Sequence, residues 1–185
     1  MGQVYAEIDE RLRAFILAQH VFFVATAPAG AGGHVNLSPK GLDALRILDP
    51  TTIAYVDYVG SGVETIAHLR ENGRIVLMLC AFEGPPKILR IHGRGAVVEP
   101  GDAGFAALIG HFAPAGAVRS VIRVRAERIA DSCGYGVPEY RYGGERPQLA
   151  AWAERKGEVA VREYQRANNA TSLDGLPGLR WVREA

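Results

Sequence analysis

The octapeptide HVNLSPKG, residues His34–Gly41, is the stretch around which we organise the fold. Its alternating apolar and polar residues indicate a short β-strand, and Pro39 has no amide hydrogen for a sheet ladder, so we expect the strand to stop there. A hydroxyl, a lysine ammonium and a glycine backbone then follow within the last four residues. These groups supply the donors and the charge that bind a phosphate oxyanion. An ordinary strand end with a solvated lysine has the same sequence pattern. Features elsewhere in the chain are needed to distinguish a phosphate site from such a strand end.

The overall composition fits one domain, or one domain with an appended arm. The chain has 185 residues, of which 48% are hydrophobic and 22% are charged, and its formal net charge is +1. This balance gives neither a basic footprint for nucleic acid nor a polybasic membrane anchor. No apolar run reaches the length of a membrane span, and the N-terminus lacks a signal-peptide layout. We therefore expect a cytoplasmic protein with no nucleic-acid and no membrane partner.

Hydrophobic periodicity predicts one early helix followed by a series of short strands. Residues Tyr5–Gln19 have the spacing of an amphipathic helix, and Val21–Ala27 is a strand for which the octapeptide is the natural hairpin partner. A short helix is expected at Asp102–Phe112. Further strands are expected at Thr52–Tyr58, Arg74–Phe82, Lys87–Glu99 and Val118–Ile129.

Most connections between these strands are too short for helical crossovers, which excludes parallel βαβ winding. Closing an antiparallel sheet into a Greek-key barrel removes its exposed edges. We therefore predict a mainly β fold of the α+β class, with a barrel in residues 1–130 and peripheral helices. Residues 131–185 contain a Gly- and Tyr-rich loop at Asp131–Gly144 and a helix at Gln148–Asn169 that Gly157 kinks or breaks. They form a C-terminal helical extension that packs on the barrel or on a dimer partner.

A second phosphate-compatible stretch lies at Gly60–Thr65. A strand ends there, a glycine-flanked serine follows, and a helix begins, with Ser61 and Glu64 at the spacing of a capping box. The helix is expected to stop at Asn72-Gly73. A helix N-terminus presents unpaired amides and a partial positive charge, which suit a phosphate. A routinely capped helix has the same signature, so both interpretations stay open.

Other catalytic motifs are absent from the sequence. It contains no Rossmann glycine fingerprint, Walker loop, nucleophile elbow or zinc-protease motif. The five histidines have no metal-ligand spacing, so we predict no metal site. Cys80 lies in an apolar run typical of a core strand, and Cys133 has no base near it in sequence. The catalytic residues are therefore unknown from sequence.

The order of these pieces resembles the FMN-binding split-barrel family related to pyridoxamine-phosphate oxidase. The resemblance spans about Tyr5–Ile129. It rests on the octapeptide, FFVAT at 22–26, AYVDY at 54–58, GSGVET at 60–65, LRENGRI at 69–75 and LRIHGRG at 89–95. CGYGVP at 133–138 and DGLPGL at 174–179 are similar to one branch of that family. The resemblance implies a split β-barrel and a homodimer that binds two FMN molecules in grooves between its subunits.

Carried over to this chain, the resemblance implies a phosphate site between two elements. The first element supplies Ser38 and Lys40. The second surrounds the phosphate with Ser61, Gly62, Glu64 and Thr65. The isoalloxazine or ribityl portion would be faced by Asn36, Leu37, Val56 and Asp57. The far wall would come from the partner's C-terminal aromatic loop.

Departures from the family pattern point away from vitamin B6 chemistry. Pyridoxamine-phosphate oxidases carry an arginine where this chain has Val35, and an Arg-Lys pair where it has Glu64-Thr65. The Glu64 carboxylate would have to turn back and cap its own helix. The phosphate would then depend on the helix amides together with Lys40, Thr65 and either Arg90 or Arg94.

We therefore expect an FMN-binding flavoprotein that acts as an oxidoreductase on an unidentified small molecule. The flavin would carry the electrons and the protein would position it, so no side-chain acid or base is strictly required. Whether the protein is an enzyme stays open, because no residue pattern names a substrate-side acid, base or nucleophile. The alternatives are a deazaflavin-dependent reductase on the same fold and a non-catalytic flavin- or small-ligand-binding protein.

Overall fold

A computed structural model describes residues 2–113 and 116–183. In chain order the elements are β1 (Val4–Tyr5), α1 (Glu10–Leu17), β2 (Phe22–Thr26), β3 (Asn36–Lys40), β4 (Leu45–Asp49), β5 (Thr52–Tyr58), α2 (Glu64–Asn72), β6 (Arg74–Cys80), β7 (Ile88–Val98), α3 (Phe105–Ile109), β8 (Val118–Ser132), α4 (Gln148–Asn168) and α5 (Arg180–Arg183). The strands form one sheet in the order β3-β2-β6-β7-β8-β5-β4, and β1 pairs with β8.

All strand pairs are antiparallel, and β8 joins the two parts of the barrel because it pairs with both β5 and β7. The register of β7 shifts between His92 and Gly93, which is the bulge that the glycines of this strand predict. A Cβ atom at Gly93 would collide with the carbonyl oxygen of Arg125, so only glycine allows the two strands this close. The predicted mainly β, antiparallel split barrel with peripheral helices and a C-terminal helical extension is confirmed.

One continuous hydrophobic core fills the barrel and includes residues from α1, α2 and the C-terminal segment. Alternate residues of each strand enter this core because successive side chains of a strand point to opposite faces. Leu179 is fully buried, so the end of the chain is anchored in the same core. The largest fully buried side chains are Tyr55, Leu12, Ile16, Ile53, Ile66, Leu77, Leu79, Leu89, Ile91, Ile122, Ile129 and Leu179.

Two predictions about the N-terminal half were wrong in detail. The first helix does not begin at Tyr5, which pairs with Ile129 in the sheet; it begins after Asp9, whose side chain accepts a hydrogen bond of 2.8 Å from the Leu12 amide. The octapeptide strand does not stop at Pro39 but continues through it to the end of β3. Proline is tolerated there because β3 is an edge strand, which needs no amide on its outer side.

The predicted capping box at the start of α2 was also wrong. The residue that precedes the helix is Val63, and no side chain caps it. Since Glu64 is the first helical residue and not the third, its carboxylate cannot complete the box with Ser61. The predicted end of α2 is confirmed, because Gly73 has φ 70° and its amide donates to the Leu69 carbonyl.

The C-terminal extension is helical from Gln148, and Gly157 interrupts the helix with φ 74° and ψ 163°, as predicted. The last barrel strand runs to Ser132, beyond the predicted division at 130/131, and that division remains a prediction. The aromatic loop contacts its own chain, because Tyr142 stacks on His20 with ring centroids 3.5 Å apart. No helix in the described ranges is long and apolar enough to cross a membrane.

Candidate functional site

A cavity of about 440 Å³ lies between β3, the end of β5 and the start of α2. Its size is within the range of about 300–1,000 Å³ that is typical of small-molecule sites. The structure brings eight of the predicted cofactor residues together in its wall, namely Asn36, Ser38, Lys40, Val56, Ser61, Gly62, Glu64 and Thr65. Sequence reasoning missed several further wall residues, including Leu42, Tyr58, Arg119 and Leu149.

Two predicted cofactor residues do not line the cavity. Leu37 is 63% exposed and lies on the outer face of β3, because it alternates with the inward-facing Asn36 and Ser38. Asp57 is completely buried behind the cavity wall. Its carboxylate contacts Lys40 and Arg119, both of which line the cavity.

Asp57 is the centre of a buried charge triad, formed by Lys40, Asp57 and Arg119. The Lys40 ammonium donates to Asp57 Oδ1 at 3.0 Å, and Arg119 Nε donates to Asp57 Oδ2 at 2.6 Å. Burial by itself would raise the pKa of Asp57, but the charges and hydrogen bonds of Arg119 and Lys40 hold the pKa below its ordinary value. The carboxylate is therefore ionised at neutral pH, and the triad carries one net positive charge.

No local pattern in the sequence points to Arg119. It lies at the start of β8 and joins the triad only because β5 and β8 pair with Asp57 opposite Ser120. The arginines that we had considered for the phosphate lie elsewhere. Arg90 donates to Ser132 Oγ at 3.1 Å, and Arg94 pairs with Glu127 at 3.2 Å, so neither reaches the cavity.

The stretch Gly60–Thr65, which we call the amide loop, is held by its carbonyl groups. Gly62 O accepts a hydrogen bond of 2.6 Å from Arg119 Nη1, and Gly60 O accepts one of 3.0 Å from Asn169 Nδ2. The carbonyl and the amide of a trans peptide point in opposite directions, so the amides of Ser61 and Val63 point away from those donors.

The residues of the amide loop differ in their access to the cavity, because Ser61, Glu64 and Thr65 line it whereas Val63 is completely buried and does not. Among residues 2–113 and 116–183, the amides of Ser61, Val63, Glu64 and Thr65 donate no hydrogen bond to the protein. The nine-residue helix α2 begins at this point, so its N-terminus adds a partial positive charge. The amide loop thus brings unpaired donors and the positive end of a helix dipole to a cavity that also contains Lys40.

A polar network fixes the side chains between β3 and α2. Asn36 Nδ2 donates to Thr65 Oγ1 at 3.0 Å and to Thr26 Oγ1 at 3.4 Å, while Ser38 Oγ donates to Asn36 Oδ1 at 3.1 Å. The proton of Ser38 is thereby committed, whereas the Thr65 hydroxyl still has its proton for a ligand. Thr26 Oγ1 lies 3.0 Å from Nδ1 of the fully buried His68, and burial lowers the pKa of that imidazole.

The Glu64 carboxylate is the one cavity group that opposes an anion. It does not cap its own helix as expected; its Oε1 accepts a hydrogen bond of 3.2 Å from the Leu173 amide. Two carboxylates, Glu64 and Asp57, therefore offset the two cations of the triad. The charges of the side chains alone therefore do not make this an anion site. The unpaired amides of the amide loop and the N-terminus of α2 are needed as well.

Among the described residues that line the cavity, none is a histidine or a cysteine. Cys80 is buried and Cys133 is exposed, and both are free thiols. In the part of the chain that the structure describes, no group of three or more His, Cys, Asp or Glu side chains is arranged to hold a metal ion. The described residues thus offer hydrogen bonds and charge at the cavity.

Comparison with known proteins identifies relatives of the chain. The family model for pyridoxamine 5′-phosphate oxidase matches residues 8–133. The pyridoxamine 5′-phosphate oxidase family protein ustO of Aspergillus flavus is 42% identical over 198 residues, which cover 95% of this chain and 77% of that protein. Two crystal structures of HupZ from Group A Streptococcus have TM-scores of 0.54 and 0.52 at 23% and 24% identity. They cover 68% and 66% of this chain, and 99% and 91% of their own chains; at such identities the likeness concerns the fold.

Proposed function

The chain belongs to the pyridoxamine 5′-phosphate oxidase family, and from that premise we propose that its cavity binds flavin mononucleotide (FMN). In this proposal the protein is a homodimeric oxidoreductase that acts on a small molecule. A cytoplasmic location is part of the same proposal.

One observation carries the proposal: the unpaired amides of the amide loop share a cavity with the Lys40 ammonium. Backbone donors at a helix N-terminus, together with a cation, are the usual means of holding a phosphate group. The Thr65 hydroxyl adds a donor whose oxygen is already held by Asn36. The cavity therefore fits the terminal phosphate of FMN better than it fits an uncharged ligand.

The remaining wall residues support the rest of the cofactor. Asn36 and Val56 line the cavity between the amide loop and β3, where they can contact the ribityl chain or the ring. Bound FMN would supply the electron and hydride transfer, which the protein side chains cannot perform. The chain itself would bind the phosphate, orient the ring and exclude water; none of its residues is assigned as catalytic.

The homodimer is supported by the outer face of β3. This edge strand has no neighbour on its far side, and the apolar side chains Val35 and Leu37 beside it are 75% and 63% exposed. Exposed edge strands and adjacent apolar residues are normally covered. A second subunit on this face would bury both side chains and complete the open side of the cavity.

The absorption spectrum of the purified protein tests the cofactor. We expect visible flavin absorbance that survives desalting, and release of FMN on denaturation. A protein that stays colourless after incubation with FMN and desalting would contradict the proposal. Competition between FMN and a deazaflavin then distinguishes the proposed cofactor from the alternative one.

A non-catalytic flavin- or ligand-binding role is the second candidate, because the contacts that carry the FMN proposal are binding contacts and none of them acts on a substrate. Steady-state oxidation of NAD(P)H by the FMN-loaded protein distinguishes the two. Turnover above that of free FMN supports the oxidoreductase. Reduction and reoxidation no faster than those of free FMN, with tight FMN binding retained, supports the binding protein.

A further inference from the structure

Residues 169–179 form a compact hairpin, which we call the C-terminal clasp. Thr171 and Pro177 face each other in an isolated β-bridge, and the Ser172 amide donates to the Leu176 carbonyl at 2.9 Å. The Gly178 amide closes the hairpin by donating to the Ala170 carbonyl at 2.8 Å. The clasp contains the DGLPGL stretch, to which neither the barrel nor the proposed cofactor assigns a role.

The clasp contacts the amide loop through Asn169, which is completely buried. Asn169 Nδ2 donates to Gly60 O at 3.0 Å, and its backbone is held at both ends by Gln165 and Leu179. Its Oδ1 has no hydrogen-bond partner among the described residues. A buried amide oxygen without a partner costs stability, so this asparagine is a poor choice for packing alone.

A second pair of contacts reaches the other residues around the cavity. The Leu173 amide donates to Glu64 Oε1, which fixes the one carboxylate that would repel an anion. The Asp174 carboxylate accepts a hydrogen bond of 2.8 Å from the His34 amide and lies 2.7 Å from His34 Nδ1. His34 leads directly into β3, so one hairpin contacts both elements between which the cavity lies.

The position of Gly178 shows how tightly the clasp is packed against this site. A Cβ atom there would collide with the Asn169 carbonyl oxygen and lie 3.0 Å from Val63 Cγ1, next to the start of α2. Gly175 has φ 75°, a conformation that favours glycine at the turn of the hairpin. The glycines of DGLPGL therefore allow the clasp to turn and to approach the amide loop.

We propose that the C-terminal clasp is a positioning element that holds the amide loop in its anion-binding conformation and so determines the preference for a phosphorylated ligand. The inference rests on the proposed function. Asn169 holds the Gly60 carbonyl, so the Ser61 amide of the same peptide points the opposite way, at a residue that lines the cavity. Arg119 holds the Gly62 carbonyl in the same manner. Without Asn169, Gly60 O keeps only a 3.5 Å contact with Arg119, and the Ser61 amide loses its fixed direction.

The test compares Asn169→Leu with Asn168→Leu. Each variant replaces an asparagine side chain by leucine and so removes one carboxamide group. Asn168 is exposed, however, and its Nδ2 donates to the Tyr164 carbonyl within α4, away from the loop. The side chain of leucine has the same number and branching of non-hydrogen atoms as that of asparagine, and it also removes the unpaired Oδ1, so Asn169→Leu should fold. Circular dichroism and the melting temperature check this for each variant.

The readout is the ratio of the dissociation constants for riboflavin and FMN, which isolates the contribution of the phosphate. In Asn169→Leu we expect FMN binding to weaken about five-fold, as for the loss of one hydrogen bond, with riboflavin binding changed less than two-fold. Asn168→Leu should keep the wild-type ratio. A merely structural role would weaken both flavins equally, and that result would overturn the proposal.

A second experiment uses inorganic phosphate in place of a flavin. It adds the variant Asp174→Asn, which changes the surface of the clasp. Phosphate should raise the melting temperature of the wild type and Asn168→Leu more than that of Asn169→Leu, with Asp174→Asn in between. If phosphate stabilises the wild type but no flavin binds, the proposed cofactor is wrong. The changes in melting temperature caused by phosphate then still test the role of the clasp. Equal increases in melting temperature in all four proteins would overturn the proposed role of the clasp. A wild type that responds neither to phosphate nor to either flavin would also overturn it.

Discussion

The buried charge triad and the amide loop contribute to the same cavity in opposite ways. The triad consists of side chains from three strands, and its carboxylate is completely buried. The amide loop consists of backbone groups, and its conformation depends on the donors that hold its carbonyls. In the triad, the Asp57 carboxylate neutralises one of the two positive charges. The loop, in contrast, supplies backbone amides that have no hydrogen-bond acceptor in the described part of the chain.

This difference separates stability from ligand affinity. A buried ion pair is costly to break, because the remaining partner is left desolvated and unpaired. A backbone donor or a partly exposed carboxylate near the loop can change affinity with little effect on folding. Substitutions in the triad and at the amide loop therefore test this separation.

The largest effect is expected for Asp57→Ala, which leaves the Lys40 and Arg119 charges without their shared carboxylate. Breaking a buried pair in this way costs about 3–5 kcal/mol of unfolding free energy. Urea denaturation measures it. The control is Glu127→Ala, which removes the carboxylate of the half-exposed pair with Arg94 and should cost less than about 1 kcal/mol. Similar losses in the two variants would show that the triad is not a special structural unit.

Lys40→Ala tests whether the triad also contributes to ligand binding. Loss of a charged phosphate contact should weaken FMN binding by about 1.5–3 kcal/mol, measured by quenching of flavin fluorescence. Lys87→Ala is the matched control, because Lys87 pairs with Asp131 away from the cavity. If the stability of Lys40→Ala falls while its FMN affinity is unchanged, Lys40 serves only Asp57.

The buried His68 makes the helix that follows the amide loop sensitive to acid. Burial lowers its pKa, so the folded protein holds it neutral while the unfolded chain takes up a proton near pH 6.5. Its contribution to stability is therefore complete above about pH 6.5 and is lost as the pH falls, by at most about 1.4 kcal/mol per pH unit. Denaturation between pH 7 and pH 5 should show this slope, and His68→Gln should reduce it. His111→Gln, at an exposed position, is the control.

The smallest effect is expected for Glu64→Gln at the start of α2. Removing this carboxylate should strengthen FMN binding by about 0.3–1 kcal/mol and slightly weaken the helix, because an acidic residue near a helix N-terminus is favourable. Glu71→Gln, near the other end of α2 and with its carboxylate on the Ala29 amide, is the control for binding. Weaker FMN binding in Glu64→Gln would mean that the carboxylate positions the ligand and does not repel it.

The sequence predicted those parts of the site that depend on local patterns. Alternation and glycine-rich turns identified β3, β5 and the start of α2, and these elements bring eight predicted residues together. Prediction from the sequence failed for residues whose position at the site depends on tertiary contacts. Arg119 reaches Asp57 only through the register of β8, and Asn169 reaches Gly60 from 109 residues away. The edge position that permits Pro39 within β3 is likewise a property of the whole sheet.

Equilibrium binding of FMN and riboflavin to the wild-type protein tests the central claim most directly, because the two flavins differ only in the phosphate. The cavity described here predicts that FMN binds at least about ten-fold more tightly, since a charge-assisted contact contributes about 1.5–3 kcal/mol. Equal affinity for the two flavins would contradict the assignment of the amide loop and Lys40 as a phosphate site.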